Sequence, residues 1–258
     1  MTDVLVPAVA YGHPAAPPLV FLRGPPSEPG RARGLDALTE RIIVRGPARS
    51  RRVHAIGRPV RIRPGTSMAG IAAVYADLLR RRFDGPAALM GVSTGASIAL
   101  QLATDHPELV SSLVVAAGAA TLGAEGRAVQ RRYADLLADG HREATEQLAI
   151  ATMDAPLLAP AVRMVSRAVP APADRAGLRA LVEAEEGFDV RESLGRVRVP
   201  VLLVSGGRDR FYPPAVAADT VRRLPDATHI VYPNRSHAGT PLHPRFAGDV
   251  GAFLRRQT

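Results

Sequence analysis

Short runs of apolar residues alternate along the chain with longer segments in which apolar positions recur at helical spacing. The strand-like runs cover residues 19–22, 53–56, 87–90, 113–117, 199–204 and 228–232. Continuous apolar runs of this length are typical of strands buried on both faces, as in parallel sheets covered by helices. The alternation therefore predicts an α/β fold with a mostly parallel sheet and helices on both of its faces.

Helix signals fill the intervals between these strands. Thr66 is a predicted N-cap for an amphipathic segment that contains Met68 and Ile71 and ends in three arginines. Further helices are predicted over residues 96–104, after Pro213 and from Pro244.

Residues 123–188 break the alternation. Strand-like runs vanish there, and alanine, arginine and glutamate with scattered leucine, methionine and valine predict several short helices separated by prolines. The pattern therefore divides the chain into a core, residues 1–122 and 189–258, and a helical insertion, residues 123–188.

The sequence Gly91-Val92-Ser93-Thr94-Gly95 matches G-x-S-x-G and stands between a predicted strand and a predicted helix. In that context the serine occupies a strained turn that lifts its hydroxyl above the sheet, and the glycines avoid collisions with nearby backbone. Because serine is a weak nucleophile on its own, this chemistry requires a base and an acid from elsewhere in the chain.

Asp209 and His237 follow the last two predicted strands and can meet this requirement. The carboxyl ends of parallel strands share one edge of a sheet, so we expect both side chains beside Ser93. The order Ser, Asp, His along the chain is the one that accompanies this motif. Asp226 is the alternative candidate for the acid, but it precedes its predicted strand and therefore belongs to the opposite edge of the sheet from Ser93. The other histidines have no comparable placement, so we expect no metal site.

Four segments resemble those of the α/β-hydrolase family: Phe21-Leu22-Arg23-Gly24, the serine motif, Gly207-Arg208-Asp209 and Ser236-His237-Ala238-Gly239. The resemblance covers nearly the whole chain. It implies that Ser93 is the nucleophile, that His237 acts as general base and then as acid, and that Asp209 orients the imidazole. It also implies that the Thr94 N–H is an oxyanion-hole donor and that the insertion is a helical lid, or cap, over the pocket.

One departure from the family pattern concerns the oxyanion hole. Family members commonly have His-Gly-x after the first buried strand, and the residue after the glycine donates the second N–H. Here the sequence is Arg23-Gly24-Pro25, and proline has no N–H. Loss of one donor costs about 2.7–4 kcal/mol of transition-state stabilisation. Either a nearby N–H such as that of Gly24 substitutes, or Arg23 supplies a charged donor, or ester hydrolysis is weak. A solvated loop position is the simpler expectation for Arg23.

Composition narrows the chemistry further. The chain has no cysteine, which excludes thiolate nucleophiles, disulfides and cysteine metal sites. All 33 basic residues are arginine, so a Schiff-base lysine and a P-loop lysine are excluded as well. The net charge of +9 is compatible with nucleic-acid binding, but the arginines fall in short separate groups and aromatic residues make up only 4% of the chain. We therefore expect no nucleic-acid partner.

Membrane and secretion signals are weak. No apolar run reaches the roughly 20 residues that a bilayer span needs, and residues 1–10 lack the basic start and long apolar centre of a signal peptide. We therefore expect a cytoplasmic protein without a membrane partner. The pattern carries no signal for oligomeric state.

The expected function is that of a serine hydrolase. It would cleave an ester, lactone or thioester of a small, largely apolar molecule through an acyl-enzyme on Ser93, without a cofactor. The candidate substrate-binding residues are Met153, Leu157, Leu158, Met164 and Tyr212. Two alternatives stay open: a non-hydrolytic enzyme of the same fold, such as a cyclase or lyase of secondary metabolism, which Pro25 favours, and a noncatalytic binding protein.

Overall fold

The computed structural model of the protein describes residues 8–24, 31–59, 61–141, 143–153, 159–168 and 172–257. Within these ranges, seven strands form one sheet: β1 (Ala8–Tyr11), β2 (Pro18–Leu22), β3 (Arg52–Ile56), β4 (Ala87–Val92), β5 (Val110–Ala116), β6 (Val201–Gly206) and β7 (Ala227–Tyr232). Their spatial order is β1-β3-β2-β4-β5-β6-β7, and every neighbouring pair is parallel except β1 and β3. The predicted mostly parallel α/β sheet is confirmed.

Helices connect the strands and cover the sheet. Their bounds are α1 (Gly34–Val44), α2 (Met68–Arg82), α3 (Thr94–Asp105), α4 (Ala124–Ala138), α5 (Ala144–Met153), α6 (Ala159–Ala168), α7 (Arg175–Glu186), α8 (Pro214–Arg223) and α9 (Phe246–Arg255). One face of the sheet packs against α2, α3 and α8, and the other packs against α1 and α9. The core therefore has two apolar layers, one on each side of the sheet.

Strand β2 shows how the sequence fills both layers. Leu19 and Phe21 belong to the layer that contains Phe246 of α9, whereas Val20 and Leu22 belong to the layer that contains Ile71 of α2. Successive side chains of a strand point to opposite faces, so a continuous apolar run is what a doubly covered strand requires.

Two elements were not predicted, and one strand begins later than predicted. β1 is a four-residue antiparallel strand at the sheet edge. Helix α1 follows Arg33, whose side chain makes no capping hydrogen bond, so the usual N-terminal signal is absent. β6 begins at Val201 because Pro200 has no N–H for the ladder; the Pro200 carbonyl accepts the Leu113 N–H at 3.0 Å.

Helices α4 to α7 lie between β5 and β6. Helix α4 packs against α5 and α7, and the contact between α4 and α7 includes Leu137 and Leu178. The two ends of this segment are joined by the antiparallel bridge between Thr121 and Asp189. None of the helices in the described part of the chain has the length and apolar character that crossing a membrane requires.

Candidate active site

Ser93 occupies the turn between β4 and α3. Its φ is 56° and its ψ is −128°, a backbone conformation that residues with a side chain rarely adopt. The turn is also crowded, because a Cβ added to Gly91 would lie 2.3 Å from the Gly95 carbonyl oxygen. A Cβ on Gly95 would lie 2.0 Å from the carbonyl oxygen of Leu22. The two glycines of the motif are therefore required by space.

Asp209 lies in the turn that follows β6. Its Oδ1 accepts the backbone N–H groups of Phe211 at 2.9 Å and Tyr212 at 3.0 Å. The side chain is fully buried. These two backbone donors fix the plane of the carboxylate and leave Oδ2 for a further donor.

His237, in the loop after β7, joins Asp209 to Ser93. Its Nδ1 lies 2.9 Å from Asp209 Oδ2, and its Nε2 lies 2.9 Å from Ser93 Oγ. An ionised carboxylate only accepts hydrogen bonds, so Nδ1 carries the proton and Nε2 accepts from the serine hydroxyl. The structure thus brings together three side chains that are distant in sequence, with Ser93 and His237 144 residues apart.

The imidazole is held by packing as well as by hydrogen bonds. The rings of Phe211 and His237 have centroids 4.8 Å apart, and the ring of Tyr212 stacks on His237 at 5.8 Å and 23°. The Ala238 N–H donates to the Thr152 carbonyl of α5 at 3.0 Å. Contacts on several sides therefore restrict the ring to the orientation that both hydrogen bonds need.

A cavity of about 480 Å³ opens beside Ser93 and His237. Its apolar lining includes Phe21, Ile43, Leu148, Met153, Val182, Phe211 and Leu242. Its polar lining includes Thr39, Gln130, Tyr133 and Thr145, with Arg23, Asp36 and Glu40 at one wall. A mostly apolar cleft with a few polar groups is typical of a small-molecule site.

Known proteins share this architecture. A family model described as serine aminopeptidase, S33, matches residues 57–240, well over half of the chain. The chain belongs to this family of α/β-hydrolases. The resemblance of the four sequence segments to the α/β-hydrolase family is therefore confirmed.

Curated relatives of this α/β-hydrolase are named as esterases. The pimeloyl-acyl carrier protein methyl ester esterase of Neisseria meningitidis serogroup B is 31% identical over 178 residues, which cover 64% of this chain and 67% of that protein. The protein of the same name from Photobacterium profundum is 30% identical over 218 residues, which cover 79% of this chain and 84% of that protein. The predicted class, an α/β-hydrolase that cleaves carboxylic esters, is confirmed.

A solved structure shows the same fold. The enol-lactonase from Burkholderia xenovorans LB400 superposes with a TM-score of 0.80 at 18% identity, and the match covers 97% of this chain and 96% of that one. At this identity the likeness establishes the fold.

Of the residues predicted for the oxyanion hole of this α/β-hydrolase, Thr94 and Gly24 border Ser93. Thr94 is the first residue of α3, so its N–H has no partner within the helix. Gly24 lies so close that a Cβ on it would be 3.1 Å from Ser93 Cβ. Arg23 also lines the cavity, whereas Pro25 lies outside the described residues.

The expectation of a solvated Arg23 is wrong. Its side chain is only 10% exposed, and Nη1 lies 3.3 Å from Oε2 of the buried Glu40. The Tyr11 hydroxyl donates to the other oxygen of Glu40 at 2.6 Å. Burial and this hydrogen bond raise the pKa of Tyr11 to about 12, and burial raises the pKa of Asp36. Charged side chains therefore form one wall of a cavity whose lining is otherwise mostly apolar.

The predicted substrate-binding residues separate in the structure. Met153 lines the cavity. Met164 is 70% exposed and does not line it, so that prediction is wrong; the apolar spacing of α6 does not reveal which face meets solvent. The prediction for Tyr212 is also wrong, because its side chain is buried against the ring of His237 and its hydroxyl donates to Glu185 at 2.8 Å. Leu157 and Leu158 lie outside the described residues.

Sequence reasoning missed a buried carboxylate, Glu185, beneath the serine turn. Its position could have been found in the pattern of α7, because Glu185 follows Leu178, Leu181 and Val182 on the apolar stripe of that helix. A charged residue at a core position indicates a paired or hydrogen-bonded group. Within the part of the chain that the structure describes, no group of three or more His, Asp or Glu side chains is arranged to hold a metal ion.

Proposed function

We propose that the protein hydrolyses a carboxylic ester through an acyl-enzyme on Ser93. The observation that supports this most directly is the continuous hydrogen-bond chain from Asp209 through His237 to Ser93 at the wall of the cavity. A base within 2.9 Å of the serine oxygen, oriented in turn by a buried acid, is the arrangement that activates a serine nucleophile.

In the proposed reaction, Ser93 Oγ attacks the ester carbonyl carbon while its proton passes to His237 Nε2. The tetrahedral intermediate collapses when Nε2 returns this proton to the alkoxy oxygen, and the alcohol leaves. Water then attacks the acyl-serine, again giving its proton to Nε2, and the acid is released as Oγ recovers a proton. Asp209 holds the tautomer that can accept and stabilises the imidazolium that forms.

We propose that the N–H groups of Thr94 and Gly24 bind the developing oxyanion. Thr94 contributes the free N–H at the start of α3, where the helix dipole also favours negative charge. Gly24 is preferred to Arg23 because the guanidinium is engaged by Glu40, whereas Gly24 borders Ser93 directly. Of the outcomes left open by Pro25, substitution by a neighbouring N–H is thus the one proposed.

The proposed substrate is an ester with a flexible, largely apolar acyl chain. The supporting features are the apolar lining of the cavity and relatives named for the methyl ester of a pimeloyl group on an acyl carrier protein. We expect Met153→Trp to shorten the longest acyl chain that is hydrolysed, because Met153 lines the cavity, and the exposed Met164→Trp to leave the preference unchanged. Equal chain-length profiles of p-nitrophenyl esters for both variants would contradict this placement.

We propose that residues 123–188 act as a lid over this cavity. Helix α5 supplies Leu148, Thr152 and Met153 to the cavity lining, and α7 supplies Val182. The contact between Thr152 and the residue after His237 places the end of α5 against the catalytic loop.

We further propose a cytoplasmic enzyme of small molecules without nucleic-acid or membrane partners. Many exposed arginines are neutralised by neighbouring carboxylates, as in the Arg131–Glu186, Arg179–Glu183 and Arg222–Asp219 pairs. Such pairs leave less unbalanced charge for a polyanion. Retention on a heparin column above physiological salt would contradict this.

Labelling with a fluorophosphonate tests the proposed function, because an activated serine reacts and an idle hydroxyl does not. We expect one label per chain in the wild type, none in Ser93→Ala, and hydrolysis of p-nitrophenyl esters only by the wild type. An unlabelled wild type that leaves a panel of esters intact would instead favour the cyclase, lyase or binding-protein alternatives.

A further inference from the structure

Glu185, near the end of α7, is buried and surrounded by hydrogen-bond donors. Only 1% of the residue is exposed to solvent. Oε2 accepts from Thr94 Oγ1 at 2.6 Å and from Gln130 Nε2 at 2.6 Å. Oε1 accepts from Ser97 Oγ at 2.8 Å and from the Tyr212 hydroxyl at 2.8 Å.

The four donors come from three separate parts of the fold. Thr94 and Ser97 form the first turn of α3, directly after the nucleophile. Gln130 belongs to α4, and Tyr212 belongs to the turn after β6 that carries the triad carboxylate. One side chain of the insertion therefore links the turn that carries Ser93 to the turn that carries Asp209.

Both linked turns bear on the proposed chemistry. The Thr94 N–H is the proposed oxyanion donor, and the hydroxyl of the same residue is held by Glu185. The Tyr212 N–H donates to Asp209 Oδ1, and its ring stacks on His237. A displacement of either residue would change the direction of a catalytic group without removing it, and small misplacements of such groups cost large factors in rate.

Burying the Glu185 carboxylate carries a desolvation cost that core packing alone does not require. A buried carboxylate needs several donors to offset its lost hydration, and all of the side chains that supply them here are neutral. Replacing this cluster by apolar side chains of similar volume would avoid that cost.

We propose that Glu185 is a positioning residue for the ester hydrolysis described above, acting through Thr94 and Tyr212 on the oxyanion donor and on the His237–Asp209 pair. This inference rests on the proposed function for its kinetic readout. It assigns to the insertion a role in aligning the catalytic groups, beyond covering the cavity.

The test compares Glu185→Gln with Glu183→Gln, a matched change on the same helix at a partly exposed carboxylate paired with Arg179. Glutamine at position 185 would direct an NH₂ group, itself a donor, toward side chains that donate hydrogen bonds to the carboxylate of Glu185. We expect kcat of Glu185→Gln to fall about 10- to 100-fold with KM within about threefold, and the control to match the wild type within about twofold.

A second readout needs no substrate. The downfield proton resonance of the hydrogen bond between His237 Nδ1 and Asp209 reports the geometry of that pair. We expect it to shift or broaden in Glu185→Gln and to stay in place in Glu183→Gln. If Glu185→Gln does not fold, Tyr212→Phe removes one donor and keeps the stacked ring; its expected effects are a kcat lower by about tenfold and a displaced resonance.

The outcomes separate the inference from the function on which it rests. A kcat equal to that of the control, or an unmoved resonance in the folded variant, would overturn the positioning role. If the wild type neither hydrolyses esters nor takes up the fluorophosphonate, the proposed function fails, and the resonance alone then decides whether Glu185 aligns the pair.

Discussion

Asp209→Asn tests the proposed catalytic arrangement by replacing one carboxylate oxygen with an NH₂ group, which also removes the negative charge. Asp209 Oδ1 accepts two backbone N–H groups, and Oδ2 accepts the Nδ1 proton of His237. Asparagine must turn its carbonyl oxygen toward the backbone donors, because its NH₂ group would otherwise face two N–H groups. The NH₂ group then points at Nδ1, which must become an acceptor. The ring proton moves to Nε2, the atom that faces Ser93, and the ring can no longer take the serine proton.

We expect this substitution to lower kcat by about 10⁴, or about 5.5 kcal/mol of transition-state stabilisation, the size measured for the same change in another serine hydrolase. KM is expected to stay within about threefold, because Asp209 does not line the cavity. The assay is steady-state hydrolysis of a p-nitrophenyl ester at neutral pH. Asp226→Asn is the matched control, since Asp226 is exposed and precedes β7. A folded Asp209→Asn protein that keeps more than about a tenth of wild-type kcat would refute the reasoning.

Two further substitutions probe the scaffold of the site. We expect Gly95→Ala to lower the melting temperature by about 10 °C or more, because its Cβ would lie 2.0 Å from the Leu22 carbonyl oxygen of β2. Gly248→Ala is the control: a Cβ there would meet nothing within 4 Å beyond its own helix α9, so the change should be neutral or stabilising. Equal melting temperatures of the two variants in calorimetry would contradict this. Asp174→Ala breaks the pair with the buried Arg58 at 2.7 Å and should cost on the order of 3 kcal/mol of unfolding free energy at neutral pH. Burial opposes ionisation of Asp174, but the hydrogen bonds from the Arg58 side chain and the Gly177 N–H outweigh it and hold the pKa of Asp174 below its ordinary value. The unfolding free energy lost in Asp174→Ala should therefore be largest above the ordinary aspartate pKa of about 3.9 and should shrink as the pH falls through the depressed pKa of Asp174. A loss of unfolding free energy that does not change with pH in urea titrations would contradict the pairing.

The strands and the triad could be predicted because they depend on local rules. Continuous apolar runs identify doubly covered strands, and side chains that follow parallel strands must meet at one edge of the sheet. Together with the G-x-S-x-G motif and the order Ser, Asp, His along the chain, these two rules predict that Ser93, Asp209 and His237 meet. The glycines of the serine turn follow from steric requirements that are equally local.

The remaining features depend on packing that periodicity does not encode. Met164 and Met153 are both apolar residues on short helices, and only tertiary contacts decide that one is exposed while the other lines the cavity. Arg23 follows a buried strand at a position that suggests solvent, yet it pairs with Glu40, which comes from α1, a helix without a capping signal. The sequence predicts that Tyr212 contacts substrate, but its hydroxyl donates to Glu185 of the insertion. Long-range polar partners of this kind are visible only once the chain is folded.

The most direct test of the account is to detect the acyl group on its proposed carrier. The protein is mixed with a p-nitrophenyl ester, quenched in acid within the first turnover, and examined by intact-protein and peptide mass spectrometry. We predict a mass increase of one acyl group, located on the peptide that contains Ser93 and missing in Ser93→Ala. Turnover of the ester without an adduct on that peptide, together with wild-type turnover by Ser93→Ala, would contradict the acyl-enzyme mechanism.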